Sequence, residues 1–140
     1  MLEQQKLDKS GVILVVDDDD DNRDVVTTIL REHISCPNVV AVKDGQEAIE
    51  FLFLAKGEVQ PPALIITDLR MPRVDGGQLI EMIRARRDHC RYDIASLPII
   101  LMTGTPGDVL PIGFNHLILK PLDIERFTRA VKSLLPYQVS

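Results

Sequence analysis

The fold class of this 140-residue chain is decided by the stretch Ile65-Ile66-Thr67-Asp68-Leu69-Arg70-Met71-Pro72, followed by Val74-Asp75-Gly76-Gly77. A short apolar run ends on a single carboxylate, and turn residues come directly after it. This pattern predicts a buried strand that carries Asp68 at its carboxyl end. In an open α/β sheet, ligands bind at that edge, so we expect Asp68 to lie in a functional site.

Two other apolar runs predict strands that end at the same edge. One is Ile13-Leu14-Val15-Val16, which is followed by Asp17-Asp18, and the other is Leu117-Ile118-Leu119, which is followed by Lys120-Pro121. Because the carboxyl ends of parallel strands meet at one edge of a sheet, we expect two acidic positions and a lysine to converge there. This combination is typical of phosphoryl-transfer sites.

Strand and helix patterns alternate along the whole chain. They predict a doubly wound, five-stranded parallel sheet with helices on both faces. The helix after the first strand is expected to be capped by Asp20 or Asp21, and the next helix to run over residues 46–56. Residues 105–115 contain two prolines and two glycines, so the fourth helix is expected to be short or irregular.

Composition limits the class of protein. A net charge of −5 argues against a general nucleic-acid binder, and no apolar run reaches the length of about 20 residues that spans a bilayer. The polar N-terminus has no secretory signal, and Cys36 and Cys90 stand in no metal or redox spacing, so we expect free thiols in the cytoplasm. We divide the chain into a leader (1–10), one domain (11–136) and a tail (137–140).

The predicted edge has a definite chemistry. The carboxylates of Asp17, Asp18 and Asp68 would repel each other, and a divalent cation relieves that repulsion; hard oxygen ligands favour Mg²⁺. Asp68 can then act as a nucleophile towards a phosphoryl group. Lys120 supplies a positive charge to the phosphoryl oxygens, and the Thr103 hydroxyl can donate a further hydrogen bond.

Four pieces of the sequence, in order, resemble the receiver domain of two-component response regulators (CheY-like, with a flavodoxin-like fold). They are Val15-Val16-Asp17-Asp18, Asp68-x-x-Met71-Pro72-x-x-Asp75-Gly76, Thr103 and Lys120-Pro121. The resemblance implies that Asp68 is the phosphoacceptor. It also implies that Asp17, Asp18, Asp68 and the backbone carbonyl of Arg70 hold Mg²⁺, that Lys120 contacts the phosphoryl group, and that Thr103 acts as a switch.

The sequence departs from the family pattern in three places. Leu117 stands where the family has its switch aromatic, so we expect any switch to work by repacking of Leu117 beside Thr103. The stretch between Thr103 and Lys120 is shorter than usual, which affects the fourth helix. Asp19, Asp20 and Asp21 make the loop after the first strand more acidic than usual.

We predict a stand-alone receiver in two-component signalling or a phosphorelay. A histidine kinase or histidine phosphotransfer protein would phosphorylate Asp68, and the output would be contacts with an unknown protein, with no nucleic acid, membrane insertion or external enzymatic product. One alternative is a pseudo-receiver that binds proteins independently of phosphorylation. Another is a Mg²⁺-dependent aspartyl phosphatase of the haloacid-dehalogenase type, which needs an aspartate where this chain has Arg70.

Overall fold

The computed structural model describes residues 12–34, 38–54, 62–86, 94–105, 107 and 109–135. Its centre is a five-stranded parallel sheet of order β2-β1-β3-β4-β5, the order of flavodoxin-like folds. The strands are β1 (Ile13–Val16), β2 (Val39–Val42), β3 (Leu64–Asp68), β4 (Ile99–Thr103) and β5 (His116–Leu119). The predicted sheet is confirmed. The predicted leader (1–10) and tail (137–140) lie outside the described residues.

Four α-helices pack on this sheet within the described residues. They are α1 (Asp20–His33), α2 (Gly45–Ile49), α3 (Gly76–Arg84) and α4 (Ile124–Leu134). The helix predicted over residues 46–56 is α-helical only as far as Ile49, and it continues as a π-helical turn over Glu50–Leu54. Among these helices, none combines the length and the apolar composition that a bilayer crossing requires.

Each α-helix is preceded by an aspartate that caps it. The four capping residues are Asp19, Asp44, Asp75 and Asp123. An aspartate in this place is worth about 1 kcal/mol relative to alanine because it accepts otherwise unpaired N–H groups of the first turn. The prediction that Asp20 or Asp21 caps α1 is wrong, because the Asp19 carboxylate accepts from the N–H groups of Asp21 and Asn22.

Successive residues of the central strands face opposite layers of the core. In β1, Ile13 and Val15 pack in the layer that α1 and α4 cover, whereas Leu14 and Val16 pack in the layer that α2 and α3 cover. The strands β1, β3 and β4 are buried along their whole length. This burial on both faces explains why their sequences are continuous apolar runs.

The connection between β4 and β5 is irregular, as the sequence predicted, and its described residues contain no helix. Arg84, the last residue of α3, holds this connection in place. Its Nε donates to the carbonyl of Gly113 (2.8 Å) and its Nη2 donates to Oδ1 of Asn115 (3.2 Å). Its Nη1 donates to the carbonyls of Ala95 (2.9 Å) and Leu97 (2.6 Å). One guanidinium group therefore joins the irregular connection to the segment that precedes β4.

Candidate functional site

Three charged side chains meet at the carboxyl edge of the sheet because of the strand order. Asp17 follows β1, Asp68 is the last residue of β3, and Lys120 follows β5. The strands β1 and β3 are direct neighbours, with Val16 paired to Thr67, so Asp17 and Asp68 lie side by side. The edge predicted from the three apolar runs is therefore present.

Three carboxylates form a cluster at this edge. Asp17, Asp18 and Asp68 each offer an oxygen, and these oxygens all lie within 4.8 Å of one another. Asp17 and Asp68 are buried, whereas Asp18 is exposed. The buried pair forms the floor of the cluster, and Asp18 leaves it open to solvent on one side.

Lys120 connects the two buried carboxylates. Its Nζ lies 3.3 Å from Oδ2 of Asp17 and 3.2 Å from Oδ1 of Asp68. The Lys120 side chain is only 20% exposed, so its ammonium group interacts with both carboxylates in a medium of lowered dielectric constant. One positive charge faces three negative charges, and the cluster keeps an excess of negative charge.

The pKa of the Asp68 carboxyl is raised from its ordinary value of 3.8. Burial is the largest cause and the negative charge of Asp17 adds to it, while Lys120 and the N–H of Leu69 act in the opposite direction. The site thus holds Asp68 as a partly desolvated carboxylate. Such a group gains from any added positive charge.

The donor set fits a hard divalent cation. Three carboxylate oxygens converge within a few ångströms, they carry more negative charge than Lys120 balances, and one of them faces solvent. Oxygen ligands with few protein carboxylates are the usual environment of Mg²⁺. The acidic triad is therefore able to hold a metal ion.

Backbone groups fix the two buried carboxylates. Oδ1 of Asp17 accepts from the N–H of Asp19 (2.9 Å), and Oδ1 of Asp68 accepts from the N–H of Leu69 (3.0 Å). Arg23 donates from Nη1 to the carbonyl of Asp17 (2.7 Å) and pairs with Asp20. Arg23 was not among the predicted site residues. Its only local signal is a single cation three residues after Asp20 in an acidic segment.

Thr103 lies at the same edge, and Leu117 does not. Thr103 is the buried last residue of β4, its hydroxyl accepts from the N–H of Thr105 (3.3 Å), and its carbonyl accepts from the N–H of Lys120 (2.9 Å). Leu117 is partly buried inside β5, is paired with Leu101, and packs in the layer of α2 and α3. Thr103 follows Leu101 by two residues on the paired strand β4, so Thr103 and Leu117 are diagonal neighbours on the same face of the sheet, and a signal between them would pass along that face.

Arg70 lies in the loop that connects β3 to α3. The loop is closed at its base by a hydrogen bond from the N–H of Gly76 to the carbonyl of Leu69 (2.9 Å). Its tip meets the start of α2, where Arg73 forms an ion pair with Asp44. This pair was not among the predicted features, because the two residues are 29 positions apart and no local pattern links them.

Comparison with known proteins gives a family match over most of the chain. The sequence profile of the family described as "Response regulator receiver domain" matches residues 13–132. Among solved structures, the signal receiver domain of a signal transduction histidine kinase from Syntrophus aciditrophicus is 32% identical, with 90% of each chain covered and a TM-score of 0.74. A response regulator receiver protein from Pseudomonas putida is 31% identical over 89% of this chain and 97% of its own, with a TM-score of 0.69.

The curated relatives are longer proteins. The 3',5'-cyclic-nucleotide phosphodiesterase regA of Dictyostelium discoideum is 31% identical over 88% of this chain but over only 15% of its own length. The chain spans less than two thirds of the curated relatives it matches, 63% of one of them and 8% of another. The similarity therefore covers the domain described above and not the remaining parts of those relatives.

Proposed function

Because the chain belongs to the response regulator receiver family, we propose that Asp68 accepts a phosphoryl group from a phosphohistidine in a Mg²⁺-dependent reaction. Receiver domains are phosphorylated by histidine kinases, and they are typically phosphoacceptors rather than true enzymes. One observation carries the proposal. The Asp68 carboxylate lies at a strand end, 3.2 Å from Lys120 Nζ and clustered with two further carboxylates.

In the proposed step, an oxygen of the Asp68 carboxylate attacks the phosphorus atom of the donor. The bond from phosphorus to the imidazole nitrogen breaks, and the imidazole leaves with the electron pair. The products are an acyl phosphate on Asp68 and a dephosphorylated histidine. Lys120 then neutralises charge on the phosphoryl oxygens, because its ammonium group already lies beside Oδ1 of Asp68.

We assign the Mg²⁺ ligands to Asp17, Asp18, Asp68 and the backbone carbonyl of Arg70. When bound, Mg²⁺ supplies positive charge that offsets the repulsion between the carboxylate and the incoming phosphoryl oxygens. The acidic triad supports this assignment, since its oxygens lie within 4.8 Å of one another. The Arg70 carbonyl is included because Arg70 is the second residue after Asp68, the position whose carbonyl binds the metal in the family pattern.

We propose that Thr103 reports the phosphorylation state. Its hydroxyl accepts a hydrogen bond from Thr105 in the unphosphorylated protein, and it would turn to donate to a phosphoryl oxygen. The loss of the Thr105 bond would alter the chain that follows β4. Leu117 would follow by repacking, and a partner protein would read the change at the surface.

A mass measurement tests the proposed function. The wild-type protein and an Asp68→Asn variant are incubated with acetyl phosphate, with and without MgCl₂, and intact masses are recorded. We expect a gain of one phosphoryl group that requires both MgCl₂ and Asp68. Asp123→Asn is the matched control, because asparagine caps α4 as well as aspartate does and the residue lies outside the acidic triad. Equal labelling of Asp68→Asn would contradict the proposal.

The pseudo-receiver is the second candidate, and the irregular β4–β5 connection together with Leu117 favours it. A pseudo-receiver would bind its partner without phosphorylation and would gain no mass from acetyl phosphate. A purified histidine phosphotransfer protein, phosphorylated beforehand, separates the two candidates. Transfer of its phosphoryl group to the wild-type chain supports the receiver, and no transfer from either donor supports the pseudo-receiver.

A further inference from the structure

The loop between β3 and α3, residues 69–75, is attached directly to the phosphoacceptor strand. At its base, the N–H of Gly76 donates to the carbonyl of Leu69 (2.9 Å). A Cβ atom at Gly76 would overlap the carbonyl oxygen of Asp68, so the returning chain passes over the end of β3 where only glycine fits. A shift of the loop would therefore displace the backbone of Asp68.

The tip of the same loop rests on the first turn of α2. A Cβ atom at Gly45 would overlap the carbonyl oxygen of Val74, which shows how closely the two segments approach. Arg73 has a φ of 66°, in the left-handed region that residues other than glycine rarely adopt. Such a conformation persists where surrounding contacts impose it. The contacts available here are the packing of Val74 on Gly45 and the ion pair of Arg73 with Asp44.

Asp44 has two partners, one on each carboxylate oxygen. Oδ1 accepts from the N–H of Glu47 (2.9 Å), which caps α2, and Oδ2 pairs with Nη2 of Arg73. Burial alone would raise the pKa of the Asp44 carboxyl, but the Glu47 N–H and the Arg73 charge outweigh it, so the pKa is lowered. Asp44 is therefore an ionised carboxylate that is held by the first turn of α2 and that binds Arg73 of the loop.

We propose that the Asp44–Arg73 pair is a positioning device that holds the β3–α3 loop, and with it the Arg70 carbonyl, in the geometry that binds Mg²⁺. The inference rests on the proposed function, because it concerns the same metal site. Arg70 is three residues from Arg73 and two from Asp68, so the loop has little length in which to absorb a shift of its tip. Arg73 is a positioning residue, since its ion pair is with Asp44 and not with the reacting atoms.

Two single variants separate geometry from simple electrostatics. Arg73→Ala removes a positive charge, which by itself would strengthen Mg²⁺ binding at an acidic site. Asp44→Ser removes a negative charge, which by itself would weaken it, while the serine hydroxyl keeps the cap of α2. Because the two charge effects have opposite signs, an equal loss of affinity in both variants follows only from the loss of the pair.

The measurement is calorimetric titration of the unphosphorylated protein with MgCl₂, alongside the rate of labelling by acetyl phosphate. We expect each single variant to bind Mg²⁺ about tenfold more weakly, as for other groups that orient metal ligands. The double variant should bind Mg²⁺ no more weakly than either single variant. Labelling by acetyl phosphate should slow in proportion to the loss of Mg²⁺ affinity, and it should recover at high MgCl₂. Arg129→Ala is the matched control, because it breaks an exposed ion pair with Glu125 on α4 and should leave both quantities unchanged.

Arg73→Gly serves as a second variant in case Arg73→Ala does not fold, since glycine adopts a φ of 66° without a steric penalty. Wild-type affinity for Mg²⁺ in the folded Arg73 variant, or tighter binding, would overturn the inference. A wild-type protein that does not bind Mg²⁺ would overturn it as well. A wild-type protein that binds Mg²⁺, loses affinity in both variants and takes no phosphoryl group would support the positioning device and contradict the proposed function alone.

Discussion

The two halves of the carboxyl edge are built in different ways. Beside β1 and β3, the carboxylates of Asp17 and Asp68 are buried and held by backbone N–H groups and by Lys120. Between β4 and β5, the described part of the chain forms no helix, and Val109 and Ile112 are 93% and 90% exposed. The acidic site therefore depends on contacts that converge from β1, β3 and the end of β5. It does not require a regular helix between β4 and β5.

The largest effect is expected from Lys120→Ala, which removes the positive charge shared by the buried carboxylates. We expect labelling of Asp68 by acetyl phosphate to slow by between about a hundredfold and a thousandfold, the usual cost of losing one group that stabilises transition-state charge. Mg²⁺ should bind at least as tightly, because the lysine no longer competes for Asp17 and Asp68. Lys132→Ala, on the exposed side of α4, is the control. A labelling rate within twofold of wild type would remove Lys120 from its proposed role.

Arg84→Ala tests the other half of the comparison. It removes the Arg84 donor from three backbone carbonyls and from Oδ1 of Asn115, which still accepts from the N–H of Ile99, and we expect the free energy of unfolding to fall by about 2 kcal/mol. Mg²⁺ affinity should stay within twofold of wild type, because these contacts lie on the β4–β5 side. Arg84→Lys should recover only part of the loss, since an ammonium group cannot reproduce the planar guanidinium geometry. A strong loss of Mg²⁺ affinity in Arg84→Ala would show that the two halves are coupled.

The β1–β3 half was predictable because its determinants are local. A buried parallel strand is a continuous apolar run, and the residue that ends the run lies at the sheet edge, so Asp17 and Asp68 could be located by inspection. The cap of α1 was misplaced because Asp19, Asp20 and Asp21 all suit a helix start. The choice depends on where the chain turns, and Oδ1 of Asp17 fixes that turn by accepting from the N–H of Asp19.

The connection between β4 and β5 was predictable only as an absence of regular structure, although Lys120 at the end of β5 was located from its apolar run. Prolines and glycines disfavour a helix there, and the described residues contain none. The contacts that replace it join Arg84 to residues between 11 and 31 positions away along the chain. Arg73 and Asp44 are likewise far apart in the sequence, at a separation of 29 positions. Long-range polar contacts produce no periodic pattern in a sequence, so these contacts could be identified only in the structure.

A smaller effect is expected from the pH dependence of the Asp44–Arg73 pair. Because folding lowers the pKa of Asp44, the native state binds a proton on the Asp44 carboxylate less readily than the unfolded state does. The contribution to stability is therefore fully present above the ordinary value of 3.8 and is lost as the pH falls through the lower, folded-state pKa. Urea unfolding should show wild type more stable than Asp44→Ser by about 1 kcal/mol at pH 7. The difference should shrink below pH 3.8; a difference that grows there would contradict the assigned ion pair.

The smallest effect is expected from Val109→Ser and Ile112→Ser in the exposed β4–β5 connection. Apolar side chains stabilise a fold in proportion to the area that folding removes from water, about 25 cal/mol per Å², and these two remain almost wholly in water. Each variant should change the free energy of unfolding by about 0.5 kcal/mol or less and leave labelling of Asp68 unchanged. Met102→Ser is the contrasting variant. Met102 is fully buried in β4, so this substitution should lower the free energy of unfolding severely. If Ile112→Ser proved nearly as damaging as Met102→Ser, the β4–β5 connection would have to pack as tightly as the acidic half, and the contrast between the two halves would fail.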